Sequence, residues 1–104
     1  INIKSIAHIT GGGLVDNIPR VIPGEFSVEI DTTSWKKIPI FNFLQNNLDI
    51  NTKDLYQTFN MGIGLVLIVD ESKKEKLISF IGRDNCNSIG VVVNDKDNMV
   101  HLYG

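Results

Sequence analysis

The chain has 104 residues, of which 42% are hydrophobic, and its ten Lys and Arg against twelve Asp and Glu give a formal net charge of −2. This length suits one small domain and is too short for two ordinary ones. The sequence has no basic stripe for nucleic acid, and no apolar run approaches the roughly 20 residues of a membrane-spanning helix. We therefore expect neither nucleic acid nor a membrane as a partner.

The cysteine content indicates the cellular compartment of the protein, and the first residues indicate whether the chain is part of a longer protein. Cys86 is the one cysteine of the sequence, which excludes an internal disulfide framework and fits a reducing compartment. We expect a cytoplasmic protein. The chain opens at Ile1 inside a predicted strand, without an initiator Met or a basic leader, so we expect a piece of a longer protein.

Hydrophobic periodicity and breaker residues divide the chain into alternating strands and helices. The predicted strands cover residues 1–10, 26–30, 63–69, 88–93 and 99–103, and the predicted helices cover 14–20, 40–46, a segment that begins at 51–54, and 72–80. This order predicts an α/β domain, layered, with a mixed β-sheet flanked by helices.

Several elements carry more specific expectations. Pro39 suits the first position of a helix, Asn51 suits a helix cap, and Gly82 suits a helix end. The uniformly apolar run 63–69 predicts a central strand covered on both faces. The polar residues 94–98 predict a hairpin turn that pairs the last two strands.

The strongest local feature is the glycine turn (residues 11–13), formed by Gly11, Gly12 and Gly13 between the first strand and the first helix. Such a turn lets backbone N–H groups approach an anion closely, and Thr10 beside it can donate a hydroxyl to a phosphate or cap the helix. The spacing matches neither G-x-G-x-x-G nor the phosphate-loop pattern. A tight strand-to-helix turn explains the glycines equally well, so spacing leaves both interpretations open.

A second dense cluster surrounds Asn60 and Gly62, where glycine permits close approach by a ligand or by a neighbouring helix. His8 alternates with Thr10 along the first strand, so we expect both side chains on one face. A single strand histidine is more often structural than catalytic.

The remaining candidate metal ligands are scattered along the sequence. His8 and His101 lie far apart, and with the single cysteine they make no recognisable ligand set. We therefore expect no metal ligands in this chain. His101 is expected at an ordinary surface or sheet edge, and Cys86 is expected to be buried or incidental.

Four segments occur together in one order: HITGGGL at residues 8–14, NIPRV at 17–21, PIF at 39–41 and YQTFNMGIG at 56–64. Together they resemble the C-terminal domain of the phosphoribosylformylglycinamidine cyclo-ligase family, the AIR synthetases, and the likeness spans residues 6–93. Relatives in the wider superfamily carry Asp-type residues where His8 and Gly11 stand, so the resemblance is to this family in particular.

The resemblance implies that residues 1–104 are part of the C-terminal domain of a longer enzyme. Its N-terminal domain would form the homodimer and bind most of the ATP and Mg²⁺. The implied reaction uses ATP to activate formylglycinamidine ribonucleotide and closes the ring of aminoimidazole ribonucleotide, a step of purine biosynthesis. The chain alone is then expected to be inactive.

The resemblance also implies roles for individual residues. Thr10, Gly11, Gly12 and Gly13 would face the phosphates or the nucleotide substrate, and His8 would be a catalytic, proton-handling group. Residues 60 and 62 would lie in the cleft or at the domain interface. Superfamily relatives supply carboxylates for metal from the matching turn, and this sequence lacks them there.

Two other interpretations stay open at this point. The chain could be a non-catalytic ligand-binding or interaction domain that kept the fold and the glycine turn. A related enzyme of the superfamily is a third, disfavoured by the residues at positions 8 and 11.

Overall fold

The computed structural model describes residues 2–104; residue 1, where the first predicted strand begins, lies outside them. Within residues 2–104 the chain forms five strands and four α-helices, in the predicted order. In chain order they are β1 Ile3–His8, α1 Gly13–Asn17, β2 Phe26–Asp31, α2 Pro39–Leu48, α3 Thr52–Thr58, β3 Leu65–Val69, α4 Lys74–Ile81, β4 Gly90–Asn94 and β5 Val100–Tyr103. The α/β class is confirmed.

The strands are divided between two sheets. β1 pairs antiparallel with β3, while β2 lies between β4 and β5 in a three-stranded sheet. That second sheet is mixed, because β2 is antiparallel to β4 and parallel to β5. A mixed sheet is therefore present as predicted, but the two-sheet arrangement was not anticipated.

The predicted hairpin between the last two strands is wrong, because β2 lies between β4 and β5 and pairs with both. The turn before β5 is fastened to the start of β2 instead. The Asn98 side-chain amide donates to the carbonyl oxygens of Pro23 at 3.2 Å and Phe26 at 3.1 Å. The backbone N–H of Met99 donates to Ser27 Oγ at 3.1 Å. These bonds carry the chain across the end of β2 and place β5 on its far side.

The expectation that residues 63–69 form a central strand covered on both faces is also wrong for the part of the chain described here. β3 pairs with β1 alone among residues 2–104, and the Leu65 side chain is 55% exposed. The inner face of this sheet packs on the core through Ala7 and Ile9. The uniformly apolar pattern of residues 63–69 therefore predicted a strand correctly, but it did not show how many faces of that strand other described residues cover.

The core connects both sheets to the first and third helices. Leu14 and Ile18 from the α1 region, Leu55 from α3 and Ile30 from β2 are each at most 1% exposed. Burial of such side chains stabilises the fold by about 1.5–3 kcal/mol each. Because α1 and α3 share this core, the glycine turn before α1 is held against the end of α3.

Three of the predicted helix ends are confirmed. Pro39 occupies the first turn of α2, and Asn51 Oδ1 caps α3 by accepting a hydrogen bond from the Asp54 N–H at 2.8 Å. Gly82 ends α4 with φ of 106°. The predicted helix 14–20 is shorter than expected: α1 ends at Asn17, and Pro19 begins a separate 3-10 turn, because proline has no N–H to continue the helix.

No helix within residues 2–104 is long and apolar enough to cross a bilayer.

Candidate functional site

An open cleft of about 290 Å³ lies beside the glycine turn; we call it the turn cleft. Its lining includes Ile9, Thr10, Gly11, Phe41, Phe59 and Asn60. The structure thus brings together three of the residues that the sequence nominated, from two segments some fifty residues apart. The two phenylalanine rings, with centroids 6.1 Å apart, form an apolar wall that sequence reasoning did not assign.

Two of the three glycines of the turn are required by the fold, each for its own reason. A Cβ on Gly13 would lie 2.2 Å from the carbonyl oxygen of Tyr56 and 2.6 Å from that of Phe59, so close contact with α3 excludes a side chain there. Gly12 has φ of 97°, and a Cβ on it would meet Asp16 at 2.6 Å. Both positions are therefore explained by packing and backbone conformation.

Gly11 differs from the other two glycines. A Cβ built on Gly11 has no heavy atom within 4 Å among the described residues, and the residue does not have a left-handed φ. Gly11 is also exposed and lines the turn cleft. Nothing in the packing of residues 2–104 requires glycine here, which makes Gly11 the position of the turn best suited to close approach by a ligand.

The hydrogen bonds of the turn leave donors available. The Gly13 N–H donates to the Thr10 carbonyl at 3.0 Å, whereas the Gly11 and Gly12 N–H groups donate to no other residue within 2–104. The Thr10 hydroxyl donates to Asn17 Oδ1 at 3.2 Å. Thr10 does not cap α1, since Gly12 is the residue at that position and no side chain caps the helix. The turn therefore offers two backbone donors of the kind that bind anions.

Asn60 and Gly62 belong to one tight turn but reach different clefts. Asn60 Oδ1 accepts from the Gly62 N–H at 2.8 Å, and the Asn60 carbonyl accepts from the Ile63 N–H at 3.0 Å. The Asn60 Nδ2 donates no hydrogen bond to another described residue, which leaves it as a donor at the turn cleft. Gly62, with φ of 92°, lines a larger and mostly apolar cleft between the two sheets instead.

His8 lies on the outer face of β1, opposite Leu65 of β3. Its side chain and that of Thr10 are exposed, while Ile9 between them is buried, as the alternation predicts. His8 does not line the turn cleft, and within residues 2–104 no carboxylate is hydrogen-bonded to its ring. The described residues therefore give His8 no partner that would orient it for proton transfer.

A group that sequence reasoning missed lies on the other sheet, where ligand-type atoms of Asp95, Asp97 and His101 fall within 4.8 Å of one another. His101 Nε2 is 2.6 Å from Asp95 Oδ2, and the Asp97 N–H donates to Asp95 Oδ1 at 3.1 Å. The hydrogen bond with His101, followed by that from the Asp97 backbone, holds the pKa of Asp95 below its usual value. The D-x-D-x-x-x-H spacing across a turn was the signal available in the sequence. The Asp95 side chain thus bonds both the His101 ring and the Asp97 backbone, and these two contacts stabilise the turn before β5.

Comparison with known proteins shows which proteins this chain is similar to. The family described as AIR synthase related protein, C-terminal domain, matches residues 1–102. A phosphoribosylformylglycinamidine cyclo-ligase of Nitrosococcus oceani is 48% identical over 81 residues, covering 78% of this chain and 23% of that protein. The enzymes so named from Ligilactobacillus salivarius and Staphylococcus aureus are 41% identical over 102 residues and 39% identical over 106 residues, covering 98% and 100% of this chain but 26% and 31% of the relatives.

The chain thus spans less than a third of the length of these curated relatives. The family match nevertheless covers nearly the whole chain, and its residues include the glycine turn and every lining residue of the turn cleft named above. The chain belongs to the AIR synthase related protein, C-terminal domain family.

Proposed function

We propose that this chain is part of the C-terminal domain of an ATP-dependent cyclo-ligase that converts formylglycinamidine ribonucleotide to aminoimidazole ribonucleotide in purine biosynthesis. The names of the relatives support the activity, and their greater length supports a further part of the enzyme, which we propose is an N-terminal domain. That part would form a homodimer in the cytoplasm and bind most of the ATP. Residues 1–104 alone would then be inactive.

The observation that carries the proposal is the pair of uncommitted N–H groups at Gly11 and Gly12 beside the turn cleft. Both substrates of the proposed reaction carry phosphate, whose oxygens accept hydrogen bonds from such backbone donors. Asn60 Nδ2 adds a donor from another segment that lines the cleft, and the two phenylalanine rings supply an apolar surface. The turn cleft therefore fits the phosphate-bearing end of a nucleotide.

The described residues around the turn do not fit Mg²⁺, which prefers several oxygen ligands at short distance. Asp16 is the carboxylate that lies against the turn, packed next to Gly12, and its Oδ1 accepts a hydrogen bond from Gln57 Nε2 at 3.4 Å. We propose that the rest of the enzyme would hold Mg²⁺.

The proposed chemistry has two steps. The formyl oxygen of the substrate attacks the terminal phosphorus of ATP, and ADP leaves. An amidine nitrogen then attacks the activated carbon, and phosphate leaves as the imidazole ring closes. In such phosphoryl transfers, positioning and charge stabilisation supply most of the rate acceleration, and this chain would contribute by holding phosphate oxygens at Gly11 and Gly12.

The test compares two exposed glycines in the complete gene product that contains this chain. Gly11 and Gly24 are matched, since a Cβ on either meets nothing within 4 Å and neither has a left-handed φ. Gly11→Val should lower kcat/KM for aminoimidazole ribonucleotide formation by about tenfold or more, the effect of losing a close backbone contact, while Gly24→Val should leave it unchanged. A folded wild-type protein that does not turn over the ribonucleotide with ATP and Mg²⁺ would refute the proposed function and favour a non-catalytic binding domain.

A further inference from the structure

Asn17, at the end of α1, is a buried polar residue whose side chain lies beneath the glycine turn, with 6% of its surface exposed. Its Nδ2 donates to the carbonyl oxygens of Gly13 at 2.8 Å, Thr10 at 3.2 Å and Gly11 at 3.3 Å. One carboxamide thus gathers three of the four carbonyl groups of residues 10–13. The role of this residue is not evident from its position in the sequence.

The orientation of the Asn17 carboxamide is fixed by what surrounds it. Three carbonyl oxygens surround Nδ2, and carbonyl oxygens are acceptors only, so an amide oxygen cannot take its place. Oδ1 accepts from the Thr10 hydroxyl at 3.2 Å and from the Arg20 guanidinium at 3.5 Å. Every contact agrees with one orientation, in which Nδ2 faces the backbone of the turn.

This orientation determines where the backbone donors of the turn point. The Thr10 carbonyl shares a peptide group with the Gly11 N–H, and the Gly11 carbonyl shares one with the Gly12 N–H. In a trans peptide the C=O and N–H bonds point in opposite directions, and the peptides that join residues 10–13 are trans. Holding the Thr10 and Gly11 carbonyls toward Asn17 therefore turns the Gly11 and Gly12 N–H groups away from it, consistent with their donating to no other described residue.

We propose that Asn17 is the positioning residue of the turn cleft, which holds the glycine turn with the Gly11 and Gly12 N–H groups presented to an oxyanion of the ligand. The identity of that oxyanion as a nucleotide phosphate rests on the proposed function; the orientation of the turn does not. Asn17 acts through the backbone and does not itself contact the ligand. Donors fixed in place before binding lose no freedom when the ligand arrives, which favours affinity.

The informative substitution is Asn17→Asp in the complete gene product. Aspartate has nearly the same shape and keeps the acceptor for Thr10 and Arg20, but an ionised carboxylate cannot donate to the three carbonyls. Asn17→Ser is a milder second variant, because a serine hydroxyl reaches the carbonyl four residues earlier, here Gly13, but not the other two. The matched control is Ser27→Ala, which removes another buried side chain with two hydrogen bonds, to the Asp95 carbonyl and from the Met99 N–H, in the other sheet.

Hydrogen exchange measured by mass spectrometry on peptides covering residues 9–14 reports the turn directly. In Asn17→Asp the Gly13 N–H, which donates to the Thr10 carbonyl, should exchange about tenfold faster or more, as expected for loss of a buried hydrogen-bonded support. Asn17→Ser should give a smaller increase and Ser27→Ala none. Unchanged exchange in both Asn17 variants, or an equal increase in Ser27→Ala, overturns the inference.

Steady-state kinetics separate positioning from general stability. Asn17→Asp should raise KM for the ribonucleotide about tenfold more than Ser27→Ala does at matched loss of thermal stability. If the two variants change KM equally, Asn17 serves only the stability of the fold, and the positioning role is overturned. If the wild-type enzyme turns over no ribonucleotide, the proposed function fails, and the exchange comparison alone decides whether Asn17 orients the turn.

Discussion

Gly13→Ala tests the claim that the last glycine of the turn serves packing rather than ligand binding. The new Cβ would lie 2.2 Å from the Tyr56 carbonyl oxygen and 2.6 Å from the Phe59 carbonyl oxygen. Both obstacles are backbone atoms near the end of α3, so they cannot rotate away as a flexible side chain would. Either α1 or α3 must move.

The expected cost has two parts. Gly13 has φ of 62°, a left-handed conformation that costs a residue with a Cβ about 1–2 kcal/mol. Forcing an extra methyl group into a packed contact adds about 1–3 kcal/mol. The sum is about 2–5 kcal/mol of unfolding free energy, which is large for one methyl group.

The assay is urea or thermal unfolding of the complete gene product, with Gly11→Ala as the matched variant in the same turn. Gly11 has open space and no left-handed φ, so alanine there should be neutral or stabilising by about 0.4–1 kcal/mol, through the entropy of the unfolded chain. The reasoning is refuted if Gly13→Ala unfolds like the wild type, or if the two substitutions cost the same.

Two further predictions concern the helix cap and the pH dependence. Asn51→Ala removes the acceptor for the Asp54 N–H at the start of α3 and should cost about 1 kcal/mol of stability, whereas Asn51→Ser should retain most of it; equal unfolding midpoints for the two variants would contradict this. The hydrogen bond with His101 lowers the pKa of Asp95, so the stabilisation from ionised Asp95 is complete above the ordinary carboxyl pKa and is lost as the pH falls through the lowered value. The Asp95→Asn variant should therefore be less stable than the wild type at pH 7, and its melting temperature should fall less steeply between about pH 5 and pH 2. If the melting temperatures of the two proteins fall in parallel over that range, ionised Asp95 does not contribute this stabilisation.

The order of elements was predictable because its signals are local. Pro39, Asn51 and Gly82 each act within one helical turn of their own position, through a missing donor, a side-chain acceptor or a permitted left-handed φ. Pairing of strands has no such local signal. The position of β5 depends on Asn98, which bonds carbonyls more than seventy residues earlier in the chain.

The same contrast applies to the candidate site. The glycine turn and Asn60 were nominated from separate motifs, since no periodicity relates residues fifty positions apart. The resemblance to a family left Asn60 either in the cleft or at the domain interface, and the structure brings it to the turn cleft. Phe41 and Phe59, which line that cleft, follow ordinary helical patterns and carry no signal of a binding surface. Hydrophobic pattern identifies apolar residues without saying which cavity they border.

The three adjacent glycines show why a motif should not be treated as one functional unit. A substitution at Gly13 tests the contact with α3, and one at Gly12 tests a left-handed backbone next to Asp16; either can abolish activity by disturbing the fold. Gly11 alone among them combines open space, exposure and an uncommitted N–H. Asn17 holds the Thr10 carbonyl, which shares a peptide group with the Gly11 N–H, so Gly11 and Asn17 form a pair in which Gly11 presents the donor and Asn17 orients it. Gly11→Val and Asn17→Asp should consequently weaken ligand binding at this turn more than they lower the stability of the fold. Gly13→Ala should do the reverse and lower stability more than it weakens binding.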